Sequence, residues 1–241
     1  MELLDLGIPT ERQPALASLR DRLHEALGDD LASIVVYGDA GELTPISELD
    51  VLVVIAGVNV ERLNRIGAAV RAARREGQIS VLVLDPREIA SAADVFPIKF
   101  LEIKRTGRVM VGDDPFRALE IDRGNLRLRC EQELRNIAVK LRRFYLLRAA
   151  NPGGLATIVA QFLPPLVRAL RYLLSLQEAG ADDADRRTVL ETACRTLEVD
   201  PAPVPALLEA ATGTEGPEGL VKLVAFMMRL SQRGAAAADR I

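Results

Sequence analysis

The first half of the chain alternates short apolar runs with amphipathic stretches. Three runs of branched apolar residues, at 31–37, 48–55 and 79–84, predict β-strands, because such residues favour extended structure and turn residues bound each run. Between them, segments 10–28 and 60–76 place apolar residues every three or four positions, which predicts helices. Strands that alternate with helices predict an α/β arrangement.

The segment 86–111 continues this alternation with shorter elements. Its spacing predicts a short helix after a proline, a second helix over 97–105 and a strand over 108–111. The run GDDPF at 112–116 then predicts a turn into a further helix, with Asp114 as its N-cap residue and not as a metal ligand.

From about residue 121 the strand pattern stops and helical periodicity takes over. Apolar positions predict five helices, at 125–150, at 155–178, near 184–197, after 200 and from 217. Gly234 and the alanines after it are expected to form a tail. We therefore predict an α+β fold with two domains, a mixed sheet with flanking helices over 1–120 and an all-α helical bundle over 121–241.

Composition limits the classes of partner. The 241 residues carry 31 basic and 34 acidic side chains, so a formal net charge of −3 gives no general attraction for nucleic acid or an anionic membrane. Aromatic residues make up 4% and Trp is absent, so stacking surfaces for single-stranded nucleic acid are hard to build. Nucleic acid is therefore not expected as a partner.

The cysteines and the histidine limit metal and redox chemistry. Cys130 and Cys194 lack metal-ligand spacing and are expected to be buried free thiols in a reducing cytoplasm. One histidine, His24, excludes a His-rich zinc site. No secretory signal is visible at the N-terminus, and the apolar stretch 155–176 contains two arginines and a Pro-Pro pair, which favours a buried helix over a membrane span. We expect a cytoplasmic protein without a membrane partner.

The candidate chemistry lies between the first two predicted strands. Gly38-Asp39 follows the first strand, Ser47 ends the loop, and the second strand carries Glu48 and Asp50. Side chains at i and i+2 of a strand share a face, with Cα atoms roughly 6.5 Å apart. Both carboxylates are therefore expected to reach one spot, as binding a divalent cation requires. Gly38 has no Cβ, so its backbone can approach a bound group closely.

This order of elements resembles the nucleotidyltransferase superfamily with the polymerase beta-like fold. In that family a Gly-Ser pair contacts the triphosphate, and an acid-apolar-acid run on the next strand binds metal. The matching residues are Gly38-Asp39 and Glu48-Leu49-Asp50. The resemblance covers about the first half of the chain, its motif is short, and the whole layout resembles bacterial nucleotidyltransferase-domain proteins with a C-terminal helical domain.

The resemblance implies transfer of a nucleoside monophosphate from an NTP to a hydroxyl group, with Mg²⁺ as the cofactor. It makes Glu48 and Asp50 the catalytic residues and metal ligands, and Gly38, Asp39 and Ser47 the nucleotide-binding residues. The acceptor, a small molecule or a protein, is not identified. The helical half is expected to recognise it, as in the aminoglycoside nucleotidyltransferases that this layout resembles. A homodimer is left open.

Three differences from the family pattern support a second hypothesis. Asp39 replaces the Ser and places a negative charge beside the expected phosphate. No Arg or Lys occurs between Gly38 and Asp50, and the third strand, 79–84, carries no acid, although the family often has another carboxylate there. The second hypothesis is a catalytically degenerate fold that acts as a binding or regulatory module. A partner protein of toxin–antitoxin type is a third.

Other charged residues are candidates for the groups that the motif lacks. Lys99 and Lys104 are candidates for the phosphate charge, and Asp85, Glu131 and Glu133 for the catalytic base. The basic residues of 127–148 are consistent with a surface that faces a nucleotide or acidic substrate. A solvated face with intrahelical pairs, such as Glu131 with Arg135, is the favoured interpretation.

Overall fold

The computed structural model describes residues 8–38, 48–149, 151–180, 183–210 and 215–241. The chain divides into two compact units, Met1–Ile121 and Asp122–Ile241. The predicted α+β fold is confirmed, because the first unit contains a mixed sheet with flanking helices and the second is helical. The assignment of 1–120 as a nucleotidyltransferase-like domain and of 121–241 as a helical-bundle domain stays a prediction.

The described part of the first unit contains four strands and four α-helices. In chain order they are α1 (Gln13–Leu27), β1 (Leu31–Tyr37), β2 (Leu49–Ile55), α2 (Val60–Gly77), β3 (Ile79–Leu84), α3 (Pro86–Ser91), α4 (Pro97–Thr106) and β4 (Arg108–Gly112). Short 3-10 helices at Thr10–Arg12 and Gly28–Asp30 flank α1. The strands and longer helices lie within a few residues of their predicted positions.

The sheet has the strand order β3-β2-β1-β4. β1 is antiparallel to both β2 and β4, whereas β2 and β3 are parallel. Parallel neighbours need a crossover connection, and α2 provides it. As a result, the end of β1 and the beginnings of β2 and β3 lie at the same edge of the sheet.

Side chains of β2 alternate between two apolar layers. Leu49, Val51 and Val53 pack with α1 and α2 on one face of the sheet, and Leu52 and Val54 pack with α3 and α4 on the other. A strand buried on both faces has to be apolar at nearly every position. The acidic Asp50 near the start of β2 is therefore an exception that packing of the sheet does not require.

The helix predicted after Asp114 is wrong. The Asp114 side chain does accept a hydrogen bond from the Phe116 N–H at 2.9 Å, but residues 115–118 form turns. Phe116 is fully buried and packs edge-on against Phe100, with ring centroids 5.2 Å apart. Because the Phe116 ring is buried in the core, the chain turns at this point and does not form the helix that the local pattern predicts.

The described part of the second unit contains five helices. They are α5 (Arg123–Arg148), α6 (Pro152–Leu176), α7 (Arg186–Thr196), α8 (Val204–Ala210) and α9 (Pro217–Ala238). Side chains of Asp122, Asn151 and Asp185 accept backbone N–H groups at the starts of α5, α6 and α7. These caps satisfy donors that have no partner within a helix.

The buried helix predicted for 155–176 is confirmed. Within α6, Leu163, Leu166, Leu170 and Leu173 are at most 1% exposed and belong to the core of the second unit. Among the described residues, this helix is long and apolar enough over Gly153–Leu176 to span a membrane by length and composition, with half of its most apolar window buried. A core helix passes the same test.

The tail expected after Gly234 is wrong, because α9 continues to Ala238 with Ala235 and Ala238 buried. A Cβ at Gly234 would lie 3.0 Å from Leu134 Cδ1 and 3.3 Å from Leu170 Cδ2. The glycine therefore permits close packing of α9 against two other helices, and it does not end the helix.

Candidate functional site

The candidate site lies where β1 ends and β2 begins. Tyr37, the last residue of β1, is in register with Asp50 across the antiparallel pair, and Gly38 follows directly. Residues in register project to the same face of a sheet, here the face that packs against α4. Asp39 and Ser47 lie outside the described residues, so their proposed nucleotide contacts stay predictions.

Gly38 adopts a backbone conformation that favours glycine. Its φ is +95°, and its N–H donates a hydrogen bond to Thr106 Oγ1 at 2.9 Å. The Thr106 hydroxyl in turn donates to the Glu102 carbonyl at 2.7 Å. Among the described residues, apart from its neighbours in the chain, no atom lies within 4 Å of the position that a Cβ at Gly38 would take. The Gly38 backbone is thus hydrogen-bonded to α4, and no described side chain fills the position of a Cβ there.

Lys99 brings a positive charge to this site. Its ammonium nitrogen lies 4.0 Å from Asp50 Oδ2 and 4.4 Å from the centroid of the Tyr37 ring. The same nitrogen lies 4.0 Å from Glu102 Oε2. Asp50 and Lys99 are 38% and 34% exposed, so a solute can reach both. The loop between Gly38 and Asp50 contains no Lys or Arg, and Lys99 of α4 brings a positive charge close to Asp50 instead.

The second lysine candidate lies elsewhere. Lys104 Nζ donates a hydrogen bond of 2.7 Å to the carbonyl of Leu119. The two lysines of one helix thus have different environments, and the contacts of Lys99 alone include the candidate acid.

Glu48 and Asp50 have different cation partners. Glu48 Oε1 lies 3.4 Å from Arg74, which belongs to α2, on the face of the sheet opposite to α4. Such an exposed ion pair contributes only about 0–1 kcal/mol, so Glu48 can exchange Arg74 for another cation at little cost. The shared metal site of Glu48 and Asp50 stays a prediction.

Ser80 is the β3 residue in register with Asp50. Ser80 is therefore the residue of the third strand nearest to Asp50, and it is not an acid. Within the described residues, no group of three His, Cys, Asp or Glu side chains is placed to hold a metal ion. Two carboxylates fit one Mg²⁺ that keeps several waters, because Mg²⁺ dehydrates reluctantly and is often bound by one or two carboxylates. They do not fit a two-metal site.

Asp85 is wrong as a candidate base. It follows the far end of β3, roughly 16 Å along the strand from the residue that pairs with Asp50. Its carboxylate accepts the N–H groups of Gly57 and Arg87, each at 2.8 Å. Hydrogen bonds from the Arg87 side chain, followed by those from the backbone, hold the pKa of this carboxyl well below its ordinary value. A general base needs a pKa nearer the working pH, so Asp85 is a capping residue.

The low pKa of Asp85 predicts a pH-dependent contribution to stability. Because the folded-state pKa lies below the unfolded value of about 3.9, the stabilisation is complete above that pH and is lost as the pH falls further. We expect Asp85→Asn to lower the Tm by about 2–4 °C at pH 7 and by less at pH 3. Thermal unfolding followed by circular dichroism measures this, with the exposed Asp113→Asn as the control. An equal loss of Tm at both pH values would contradict the prediction.

The other two candidate bases form ion pairs on α5. Glu131 lies 2.8 Å from Arg135 and 3.6 Å from Arg127, and Glu133 lies 2.7 Å from Arg129. The predicted Glu131–Arg135 pair is confirmed. These i,i+4 contacts favour a solvated, internally paired helix face and give no support to a base role.

The cysteines match the expectation from their spacing. Both are free and buried, and burial raises the pKa of the Cys130 thiol to about 12 and that of Cys194 to about 11. A protonated, buried thiol is a poor nucleophile, so neither residue belongs to the candidate chemistry.

Four residues at the site are absent from the sequence-based prediction. They are Tyr37, Arg74, Glu102 and Thr106. The i,i+3 spacing of Lys99 and Glu102 on a predicted helix was a usable signal for one of them. The others depend on the register of β1 with β2 and on helix placement.

Comparison with known proteins identifies the fold. No protein-family model and no curated protein matches the chain. Among solved structures, the chain is similar to spectinomycin adenyltransferase AAD(9) from Enterococcus faecialis, crystallised with ATP and spectinomycin. The TM-score is 0.60 and the identity 13%, and the match covers 92% of this chain and 98% of that one. The chain therefore has a nucleotidyltransferase fold, as the motif predicts, and the match at this identity concerns the fold alone.

Proposed function

We propose that this chain, which has a nucleotidyltransferase fold, transfers a nucleoside monophosphate from an NTP to a hydroxyl group of an acceptor. The observation that supports this most is the register of β1 with β2. It brings Tyr37 into register with Asp50, with Gly38 as the next residue, and no described atom outside the chain neighbours of Gly38 fills the position of a Cβ there. A glycine at a strand end with an adjacent carboxylate suits binding of a metal-bound triphosphate, because the glycine lets the backbone come close and the carboxylate can hold the metal.

In this proposal, Asp50 and Glu48 hold Mg²⁺. When bound, the metal neutralises charge on the triphosphate and on the pyrophosphate that leaves. Asp50 is already at the site, and Glu48 joins it by leaving the exposed Arg74. Gly38, whose N–H donates to Thr106, lets the backbone approach the phosphates closely because it has no Cβ. The contribution of the protein is to position and neutralise groups, which suffices for in-line transfer.

The acceptor is proposed to be a small molecule with hydroxyl groups, and ATP is the first donor to test. The structurally similar adenyltransferase was crystallised with ATP and spectinomycin, and the match extends over the helical half of this chain. A cytoplasmic location, a homodimer and a protein acceptor stay predictions.

One alternative function is favoured by specific residues. Ser80 stands beside Asp50 where another carboxylate would complete a metal site, and Arg74 and Lys99 already neutralise the two acids. These features fit a catalytically degenerate fold that binds a nucleotide or another anion without transferring it.

Calorimetric titration of the four NTPs, with and without Mg²⁺, tests the proposal on the wild-type chain. We expect micromolar binding of at least one NTP that requires Mg²⁺. Binding that is equally strong without Mg²⁺ would favour the degenerate binding module. A folded protein that binds no NTP under either condition would refute both the transferase and a nucleotide-binding module.

A further inference from the structure

The ammonium group of Lys99 lies between two carboxylates and above an aromatic ring. Its distances to Asp50 Oδ2 and Glu102 Oε2 are both 4.0 Å, and the Tyr37 centroid is 4.4 Å away. A direct charge-assisted hydrogen bond is about 2.7–2.9 Å long. Neither of these two carboxylates therefore holds the ammonium group by a short hydrogen bond, and the group remains one-third exposed.

We propose that Lys99 changes partners when nucleotide binds: its ammonium group leaves Asp50 and Glu102 and pairs with the triphosphate. This inference rests on the nucleotide site proposed above. Lys99 then has two roles. Without ligand, its ammonium group is the cation next to the Asp50 carboxylate, and in the complex it contacts the phosphates.

Electrostatics support the exchange. A divalent cation on Asp50 and the Lys99 ammonium group repel each other at a separation of a few ångströms. A triphosphate bound to the cation offers oxygens that attract both positive charges. Lysine suits such an exchange, because its charge is compact and its four-carbon stem is flexible.

The position of Lys99 also explains how a loop without local cations can accept an anion. Gly38 directly follows Tyr37, whose ring lies under the Lys99 ammonium group. The Gly38 backbone is tied to the same helix through Thr106. In the proposed exchange, rotation of the flexible lysine side chain carries its charge from the acid toward a phosphate bound near the glycine.

Lys104 provides a matched control. It is the same residue type on the same helix, but its ammonium group donates to the Leu119 carbonyl at 2.7 Å. Loss of charge at position 104 changes the net charge of the protein by the same amount as loss at position 99. Any difference between the two variants therefore reports the position of Lys99 and not the total charge.

The test measures two ligands on Lys99→Met, Lys99→Arg and Lys104→Met. Free Mn²⁺ is followed by electron paramagnetic resonance without nucleotide, and ATP binding is followed by calorimetry in Mg²⁺. We expect Lys99→Met to bind Mn²⁺ about threefold more tightly and ATP about fivefold more weakly. Lys99→Arg should retain most of the ATP affinity, AMP affinity should change less than ATP affinity, and Lys104→Met should match the wild type for both ligands.

The opposite signs separate this role from a structural one. If Lys99 only stabilised the local fold, its loss would weaken Mn²⁺ and ATP binding together, and that result overturns the inference. ATP affinity equal to that of the wild type in Lys99→Met also overturns it while leaving the proposed function intact. A wild-type protein that binds no NTP overturns both.

Discussion

Asp50→Asn is expected to weaken ATP binding in Mg²⁺ at least about a hundredfold, which corresponds to about 2.7 kcal/mol. Asp50 is the acid that the β1–β2 register places next to Gly38, and its side chain is 38% exposed. Asn keeps the shape of the side chain and an oxygen ligand but removes the negative charge. The charge supplies most of the attraction of a carboxylate for a hard divalent cation.

The same substitution should have the opposite effect without Mg²⁺. An unneutralised carboxylate repels the triphosphate, and removal of Asp50 also releases Lys99 from one of its anionic neighbours. We therefore expect Asp50→Asn to bind metal-free ATP as well as the wild type or better. A plain loss of structure cannot produce this change of sign, so the pair of titrations distinguishes a metal ligand from a residue that supports the fold.

Two variants serve as controls for the Asp50 prediction. Asp113→Asn makes the same chemical change just beyond Gly112, which pairs with Ser33 at the opposite end of β1 from the site. It should leave both titrations unchanged. Glu48→Gln should give a smaller loss in Mg²⁺ than Asp50→Asn, because Glu48 has to leave Arg74 before it contributes. Equal ATP affinities of Asp50→Asn and the wild type in Mg²⁺ would refute the proposed metal role.

The sequence predicts the strands and most helices well, because their signals are local. β1 and β2 are buried on both faces, so nearly every position is apolar and the boundaries follow from polar residues at the ends. The wrong predictions are those in which packing outweighs the local pattern. Gly234 accommodates Leu134 instead of ending α9, and burial of Phe116 replaces a predicted helix with a turn.

The candidate site was predictable only in part. Gly38 and Asp50 could be proposed because they flank one loop, and their proximity follows from any antiparallel pairing of β1 with β2. The choice between Lys99 and Lys104 was not predictable, since both lie on α4 and only the helix orientation separates them. Asp85 could be excluded only once the parallel pairing of β2 with β3 was known, because this pairing places Asp85 at the end of β3 that is far from Asp50.

The register of β3 makes a gain of metal binding testable. Ser80 is in register with Asp50. Side chains of a strand alternate between the two faces of the sheet, and Leu82 and Leu84 of β3 lie in the same apolar layer as Leu52 and Val54 of β2. Ser80 and Asp50 therefore project to the same face. Adjacent strands are about 4.8 Å apart, so an acidic side chain at position 80 can share a cation with Asp50.

Ser80→Asp is expected to raise the affinity for Mn²⁺ about 10- to 100-fold, because it adds a carboxylate to a site that has too few. Electron paramagnetic resonance of free Mn²⁺ measures the change, and Ser80→Asn controls for side-chain size without charge. The double variant Ser80→Asp with Asp50→Asn should lose most of the gain if the two acids bind one ion. Unchanged Mn²⁺ affinity in Ser80→Asp would show that Asp50 does not offer its carboxylate on this face.

The nucleotidyl-transfer activity of the same variant then distinguishes the two proposed functions. If the wild type is a weak transferase limited by its incomplete ligand set, Ser80→Asp should raise the rate of NMP transfer along with metal affinity. If the chain is a degenerate binding module, the tighter metal site should increase Mg²⁺-dependent ATP binding without any transfer. Because Ser80 is a single half-buried position on an edge strand, its substitution changes the chemistry of the site while the apolar layers that specify the fold remain intact.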